Sequence, residues 1–158
     1  MEWIQQGPKL PSSFYKILSD YYPNKFKYGF WSSAFLALFG QEYVRCECRV
    51  VGFNSIFNTN GYYKKSRYAA AIIALEIEDY FSQQECFEYY MSVASFGNGI
   101  WGIREAAREY FNKSIEELDD REIISLIVIE NATTYYNPLR NPTNLRKAVD
   151  KILSKNWA

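Results

Sequence analysis

Histidine is missing from this chain altogether, which removes the side chain whose unperturbed pKa lies nearest neutrality. Every Ser-His or Cys-His nucleophile pair is thereby excluded. Any acid or base here must be a carboxylate, a lysine, a tyrosine or a cysteine. An excess of one charge is also absent, since 18 basic and 18 acidic residues cancel. No global field therefore favours nucleic acid or an anionic membrane, and no nucleic-acid partner is expected. Long apolar runs are absent too, for no stretch approaches the ~20 residues of a membrane span. Met1 to Leu10 carry neither a positively charged start nor an apolar run of signal-peptide length. The expectation is a cytoplasmic chain with no membrane span. Cysteines number three, and with no histidine and no second cysteine pair they do not complete a metal ligand set. Neither metal nor cofactor is expected, and the thiols read as reduced and partly buried.

What the chain does have is apolar and aromatic mass. With 158 residues and 48% hydrophobic side chains, it can bury one core without disulfides or metal, so residues 1–158 read as a single domain. The 14 tyrosines, 11 phenylalanines and four tryptophans suit recognition surfaces as well as cores, because a tyrosine packs its ring while its hydroxyl reaches water or a partner.

Patterning predicts a mainly α architecture, α+β at most, with one short strand or hairpin near residues 43–58. Ser12 and Ser13 beside Pro11 are placed to cap a helix through Phe14, Ile17 and Leu18 to about Asp20. Trp31 to Phe39 suits a short buried helix closed by Gly40. Val44 to Val51 alternates, with Val44, Cys46, Cys48 and Val50 on one face and Arg45, Glu47 and Arg49 on the other, which predicts a half-exposed strand. The asparagine-rich stretch 53–63 reads as a loop. From Lys64 a helix carries Tyr68, Ile72, Leu75 and Phe81 on one stripe. Ser82 with Glu85 forms a capping box for the next helix, which runs to about Ala94. The turn Phe96-Gly97-Asn98-Gly99 breaks it. Ile103, Ala106, Ala107, Tyr110 and Phe111 mark an amphipathic helix with Arg104, Glu105 and Arg108 outside. Ser114 with Glu117 is a further capping box, opening the helix of Ile123, Ile124, Leu126, Ile127 and Val128, which is apolar around most of its circumference and is expected at the buried centre. Thr143 is placed to cap a last helix with Leu145, Val149 and Ile152 inward and Arg146, Lys147 and Lys151 outward.

One ordered series of motifs goes further. Ala74-Leu75-Glu76-Ile77-Glu78 is followed by Ser82-Gln83-Gln84-Glu85 and Tyr89-Tyr90-Met91-Ser92. Then comes the run from Phe96-Gly97-Asn98-Gly99 through Gly102-Ile103, Ala106-Ala107 and Tyr110-Phe111 to Lys113. In this order and spacing the chain resembles the biosynthetic peptidoglycan transglycosylases, whose helices carry A-L-x-x-E, S-K-E-E-I-L-E-x-Y-L-N and F-G-x-G-x-x-G-I-x-x-A-A-x-x-Y-F-x-K. The likeness continues through Leu118, Glu122, Tyr136-Asn137-Pro138 and Arg146, covering about residues 64 to 153. The resemblance implies a bacterial, lysozyme-like helical domain that polymerises glycan strands from a lipid-linked disaccharide outside the cytoplasmic membrane. One glutamate of that family takes the acceptor hydroxyl proton, while a second glutamate and cations assist at the departing diphosphate.

Those carboxylates have no counterpart in the sequence. Counting from Pro11, the family's E-D-x-x-F-x-x-H-x-G falls on Tyr22 to Trp31, where Tyr22 stands for the glutamate, Pro23 for the aspartate and Gly29 for the histidine, and only Phe26 is kept. The family's G-G-S-T-I-T-Q-Q block has a faint echo at Gly52 to Thr59. Its second glutamate, eight residues before Glu78, falls on Ala70. Glu76 and Glu78 do not substitute for it, because at ~100° per residue they project about 120° and 80° away and lie ~9 to 12 Å further along the axis. Gln83 replaces the family's lysine and Ser92 its asparagine.

The favoured expectation is thus a non-catalytic relative, a pseudoenzyme that acts as a binding or regulatory module. Its expected occupant is a protein partner or a glycan or diphosphate-lipid ligand. Lys64, Lys65 and Arg67 at a helix start, Ser92, Gly97 and Arg146 are its candidate binding residues. Against each stands a structural alternative: solvated helix-end lysines, a tight inter-helix turn at Gly97, and an Arg146 paired with Glu122 or Glu130. The scattered tyrosines, among them Tyr89, Tyr90, Tyr135 and Tyr136, fit packing as well as recognition. A true transglycosylase would need a relocated base, with Asp20, Glu42 or Glu47 as the available carboxylates. An unrelated reaction would turn on Cys46 or Cys48 with a depressed thiol pKa.

Overall fold

A computed structural model describes residues 9–23, 25–27, 47–51 and 67–154, with the side chains of 67–71 left aside. The helix expected over Trp31 to Phe39, the Gly40 cap, the loop 53–63, and the residues Gly29, Glu42, Cys46, Lys64 and Lys65 lie outside them. The described chain is mainly α. It comprises α1 (Ser12–Tyr21), α2 (Arg67–Glu78), α3 (Gln83–Val93), strands β1 (Ser95–Gly97) and β2 (Ile100–Trp101), α4 (Ile103–Phe111), a 3-10 turn (Ile115–Glu117), α5 (Asp120–Asn131) and α6 (Pro142–Ser154). This helical content is the one the lysozyme-like expectation required. Among the described residues no helix is long and apolar enough to cross a membrane. The residues group into two compact units, one within Asn24–Tyr90, the other within Lys9–Pro23 and Met91–Ala158.

In the first unit, Cys48, Val51, Ile77, Phe81 and Cys86 form a buried cluster, with Ile73, Tyr89 and Tyr90 packed on it. The stripe of α2 is therefore Ile73, Ala74 and Ile77, while Ile72, expected inside, is 65% exposed. Residues 47–51 are helical, which corrects the strand expected there. The alternation of cysteine and valine with charge was misleading, because the first amides of this helical stretch are held by the Gln83 side chain. Its Oε1 accepts from Glu47 N at 2.7 Å and from Cys48 N at 3.3 Å, the way an N-cap group satisfies orphan amides. The expectation of free thiols is corrected for Cys48 and Cys86, which are disulfide-bonded with their Cα atoms 5.0 Å apart. The capping box at α3 is as expected, with Ser82 N donating to Glu85 at 2.8 Å and Glu85 N to Ser82 Oγ at 3.2 Å.

In the second unit, α5 is central, packed against α1, α4, α6 and β1. Its residues Ile123 to Ile129 are all buried. The Ser114–Glu117 box exists, yet it closes only the 3-10 turn. α5 begins later on a box of its own, where Asp119 accepts from Glu122 N at 2.8 Å and Glu122 accepts from Asp119 N at 2.9 Å. Two further caps differ from expectation. α1 has Pro11 at its N-cap with no side-chain bond, so Ser12 lies in the first turn. α6 starts at Pro142, whose missing N–H is one of the orphans anyway, so Thr143 lies within the helix. Between α3 and α4 the expected turn is the tip of a two-stranded antiparallel hairpin.

Candidate functional site

In the first unit lie three of the positions that the resemblance sets against the family's chemistry. Position 70 lies in the unbroken helix α2 and is an alanine. Glu78, further along α2, accepts from the amide of Gln83. Gln83, which the resemblance sets against the family's lysine, holds the amides of Glu47 and Cys48 through its Oε1. Sequence reading saw in Gln83 only a lost cation and missed this role, for which no local signal exists across 35 residues of separation. Glu47, named as a relocated base, is fully enclosed and lies 3.0 Å from the Lys25 ammonium. That ammonium sits 4.7 Å from the centroid of the Phe87 ring, against whose edge Phe26 packs at 5.4 Å. A carboxylate held this way is neutralised by its partner and out of reach of an acceptor sugar, which a base must approach to ≈ 3 Å. Asp20 is exposed near the end of α1.

In the second unit the hairpin tip, α4 and the stretch after α5 meet. Gly97 (φ +84°) lies against Thr133 and Asn137, with an added Cβ 3.4 Å from the Thr133 carbonyl and the Asn137 amide. Asn98 and Asn137 exchange side-chain hydrogen bonds, the shorter running from Asn137 Nδ2 to Asn98 Oδ1 at 3.2 Å. Asn137 is buried, and its Oδ1 accepts from the amides of Leu139 and Arg140, each at 3.0 Å, which fixes the turn around Pro138. The Tyr110 hydroxyl donates to the Phe96 carbonyl at 2.8 Å and accepts from Asn98 Nδ2 at 3.2 Å. Burial pushes this phenol up, and the Asn98 bond partly offsets the rise. The residues Asn98, Tyr110 and Asn137 were not among the candidates, although each lies in a motif quoted for the resemblance.

The remaining candidates are separate. Ser92 is half-buried in the last turn of α3, and its carbonyl stands against Gly102. Arg67 opens α2. Arg146 is exposed on α6. Glu122, one expected partner of Arg146, instead receives Lys113, at 2.7 and 2.8 Å to its two oxygens. Tyr22, which the count from Pro11 sets against the family's first glutamate, has its phenol pushed up to about 12 by burial, so it stays protonated at neutral pH.

Residues 54–156 match the family described as "Transglycosylase". The chain is 34% identical over 82 residues to penicillin-binding protein 1F of Bacillus subtilis, covering 52% of this chain and 12% of that protein. It is 32% identical over 97 residues to the biosynthetic peptidoglycan transglycosylase of Dechloromonas aromatica, covering 61% of this chain and 41% of that one. Penicillin-binding protein 1A of Rickettsia felis is 32% identical over 85 residues, 54% of this chain and 11% of the relative. The chain thus matches less than half the length of each.

Proposed function

Since the chain belongs to the transglycosylase family, with residues 54–156 as the matching part, we propose that it is a non-catalytic member, a single transglycosylase-like domain that binds without polymerising. The observation that carries this reading is the identity of position 70. An alanine stands in an intact helix at the position that the resemblance sets against the family's second glutamate. Two further features support it: Glu78 is taken up by Gln83, and Glu47 by Lys25. Neither is a base that a small side-chain rotation would free.

The ligand proposed is the glycan-bearing diphosphate-lipid precursor, with Lys64, Lys65 and Arg67 as the candidate cations of the first unit and, separately, Ser92, the Gly97 turn and Arg146 as the candidate contacts of the second. A protein partner is the second reading, favoured by Trp101, Tyr135 and Leu139, which are 64%, 58% and 73% exposed and supply the aromatic and aliphatic anchors that interfaces use. The cytoplasmic placement expected from the sequence is not carried forward, because disulfides such as Cys48–Cys86 are rare in reducing compartments.

Titration of the chain with a fluorescent diphosphate-lipid-linked disaccharide in micelles tests the first reading. Saturable binding, weakened roughly fivefold or more by R146Q or by K64Q/K65Q, a change of about 1 kcal/mol, is the expected result. No saturable binding removes the ligand reading and leaves the protein partner.

A further inference from the structure

The first unit contains a cross-link that neither the family motifs nor the proposed binding role uses. Cys48 stands in the helical stretch 47–51 and Cys86 in α3, 38 residues apart in sequence. Both side chains are completely enclosed, in the cluster with Val51, Ile77 and Phe81. Next to Cys48 is Glu47, buried against Lys25. The amides of both residues end on Gln83. The bond therefore fastens the segment that carries a buried charge.

We propose that the Cys48–Cys86 disulfide is a redox-sensitive staple that holds the 47–51 segment and its Lys25–Glu47 pair in place, so that the first unit takes this form only in an oxidising compartment. The bond forms when the two thiols lose two electrons and two protons to a small-molecule disulfide of the oxidised-glutathione class, which leaves as two thiols. A dithiol reverses it: one thiolate attacks either cysteine sulfur and expels the other, and the second thiol of the reductant then displaces the first cysteine, closing its own disulfide.

Three physical effects make the state of the bond matter. A cross-link across 38 residues removes loop-closure entropy from the unfolded chain. Two separate thiols need more room than one bond, in a core packed to crystal-like density that has little to give. Loosening 47–51 would bring water to Glu47 and Lys25 while breaking their pairing, so the segment is expected to open as one piece. Because both sulfurs are enclosed, the reductant reaches them only through such opening, and reduction of the native protein is slow compared with reduction in denaturant. None of this rests on the proposed function.

The test uses the full chain equilibrated in glutathione buffers of graded poise, with thiols trapped by alkylation and counted by intact mass. After oxidising equilibration, one alkylated thiol is expected in denaturant and three after dithiothreitol, there being three cysteines in all. Peptide mapping is expected to join Cys48 to Cys86. Reduction is expected to speed exchange of the Glu47 and Cys48 amides about tenfold or more and to lower the melting temperature by about 5–10 °C. C48A/C86A is expected to melt like the reduced chain and to ignore dithiothreitol. Three alkylatable thiols after oxidation, a bond to Cys46, or exchange and melting unchanged by reduction each overturn the proposal. If the variant does not fold, the wild-type comparison alone decides.

Discussion

Lys25 and Glu47 form an enclosed ion pair, 3.0 Å apart, with the glutamate completely buried and the lysine 12% exposed. Two charges removed from water to this extent stand only while both are present, because either one alone meets the whole desolvation penalty. The pair also answers a functional question, since Glu47 was a carboxylate that a relocated active site had available.

K25M is expected to cost about 3–5 kcal/mol by removing the cation that faces the enclosed Glu47 carboxyl, while K25M/E47L lies within about 2 kcal/mol of the starting protein. Urea unfolding of the two variants and of E47L closes a double-mutant cycle. A K25M cost below about 1 kcal/mol contradicts the enclosed pair.

Gly102 and Gly97 share a left-handed backbone, at φ +83° and +84°, but not the same surroundings. A Cβ at Gly102 would stand 2.6 Å from the Ser92 carbonyl oxygen, whereas at Gly97 the nearest atoms are 3.4 Å away. G97A therefore bears mainly the backbone term of about 1–2 kcal/mol, and G102A adds a clash with main chain for a total of about 3–4 kcal/mol. Thermal melting of both decides it, and equal costs count against the close approach of α3 to the start of α4.

Acid should weaken the carboxylate contacts of the 3-10 turn. The Arg104 hydrogen bond at 2.8 Å lowers the Glu116 carboxyl, and the Ser114 amide at 2.9 Å, then its hydroxyl, lower that of Glu117. A lowered carboxyl contributes stability that is present above its unfolded value and lost as the pH falls through its folded one. That contribution is thus present at pH 7 and is lost as the pH falls from the ordinary glutamate value of 4.5 through the lowered folded ones. Lys113 works the other way: its bond to Glu122 raises it, so that contribution is present below 10.5 and lost as the pH rises through the folded value. All three are largely exposed, so each effect is small. Carboxyl carbon NMR should place both glutamate midpoints below 4.5, and midpoints at or above it contradict the hydrogen bonds described.

The sequence carried the helices of the C-terminal part because their signals are local. The 3.6-residue stripe of α4, the apolar run of α5 and the Ser82–Glu85 box each sit within a dozen residues. What it misplaced depended on distant partners or on elements too short to show a period. Strands of three and two residues at Ser95–Gly97 and Ile100–Trp101 leave no alternation to read, so only their turn was visible. The 47–51 stretch alternates like a strand, but its helical form is fixed by Gln83 and Cys86, 35 to 38 residues away. At the candidate site, the alanine at position 70 was legible because a residue type needs no geometry. The enclosure of Glu47 and the network of Asn98, Tyr110 and Asn137 were not, since both arise from packing across long separations.

The account stands most directly on a polymerisation assay, in which the purified chain is given lipid-linked disaccharide in detergent and the products are resolved by length. It predicts no polymer above background, at any metal concentration tried. Polymer that disappears in D20N, E42Q or E47Q contradicts it and identifies the carboxylate that does the work.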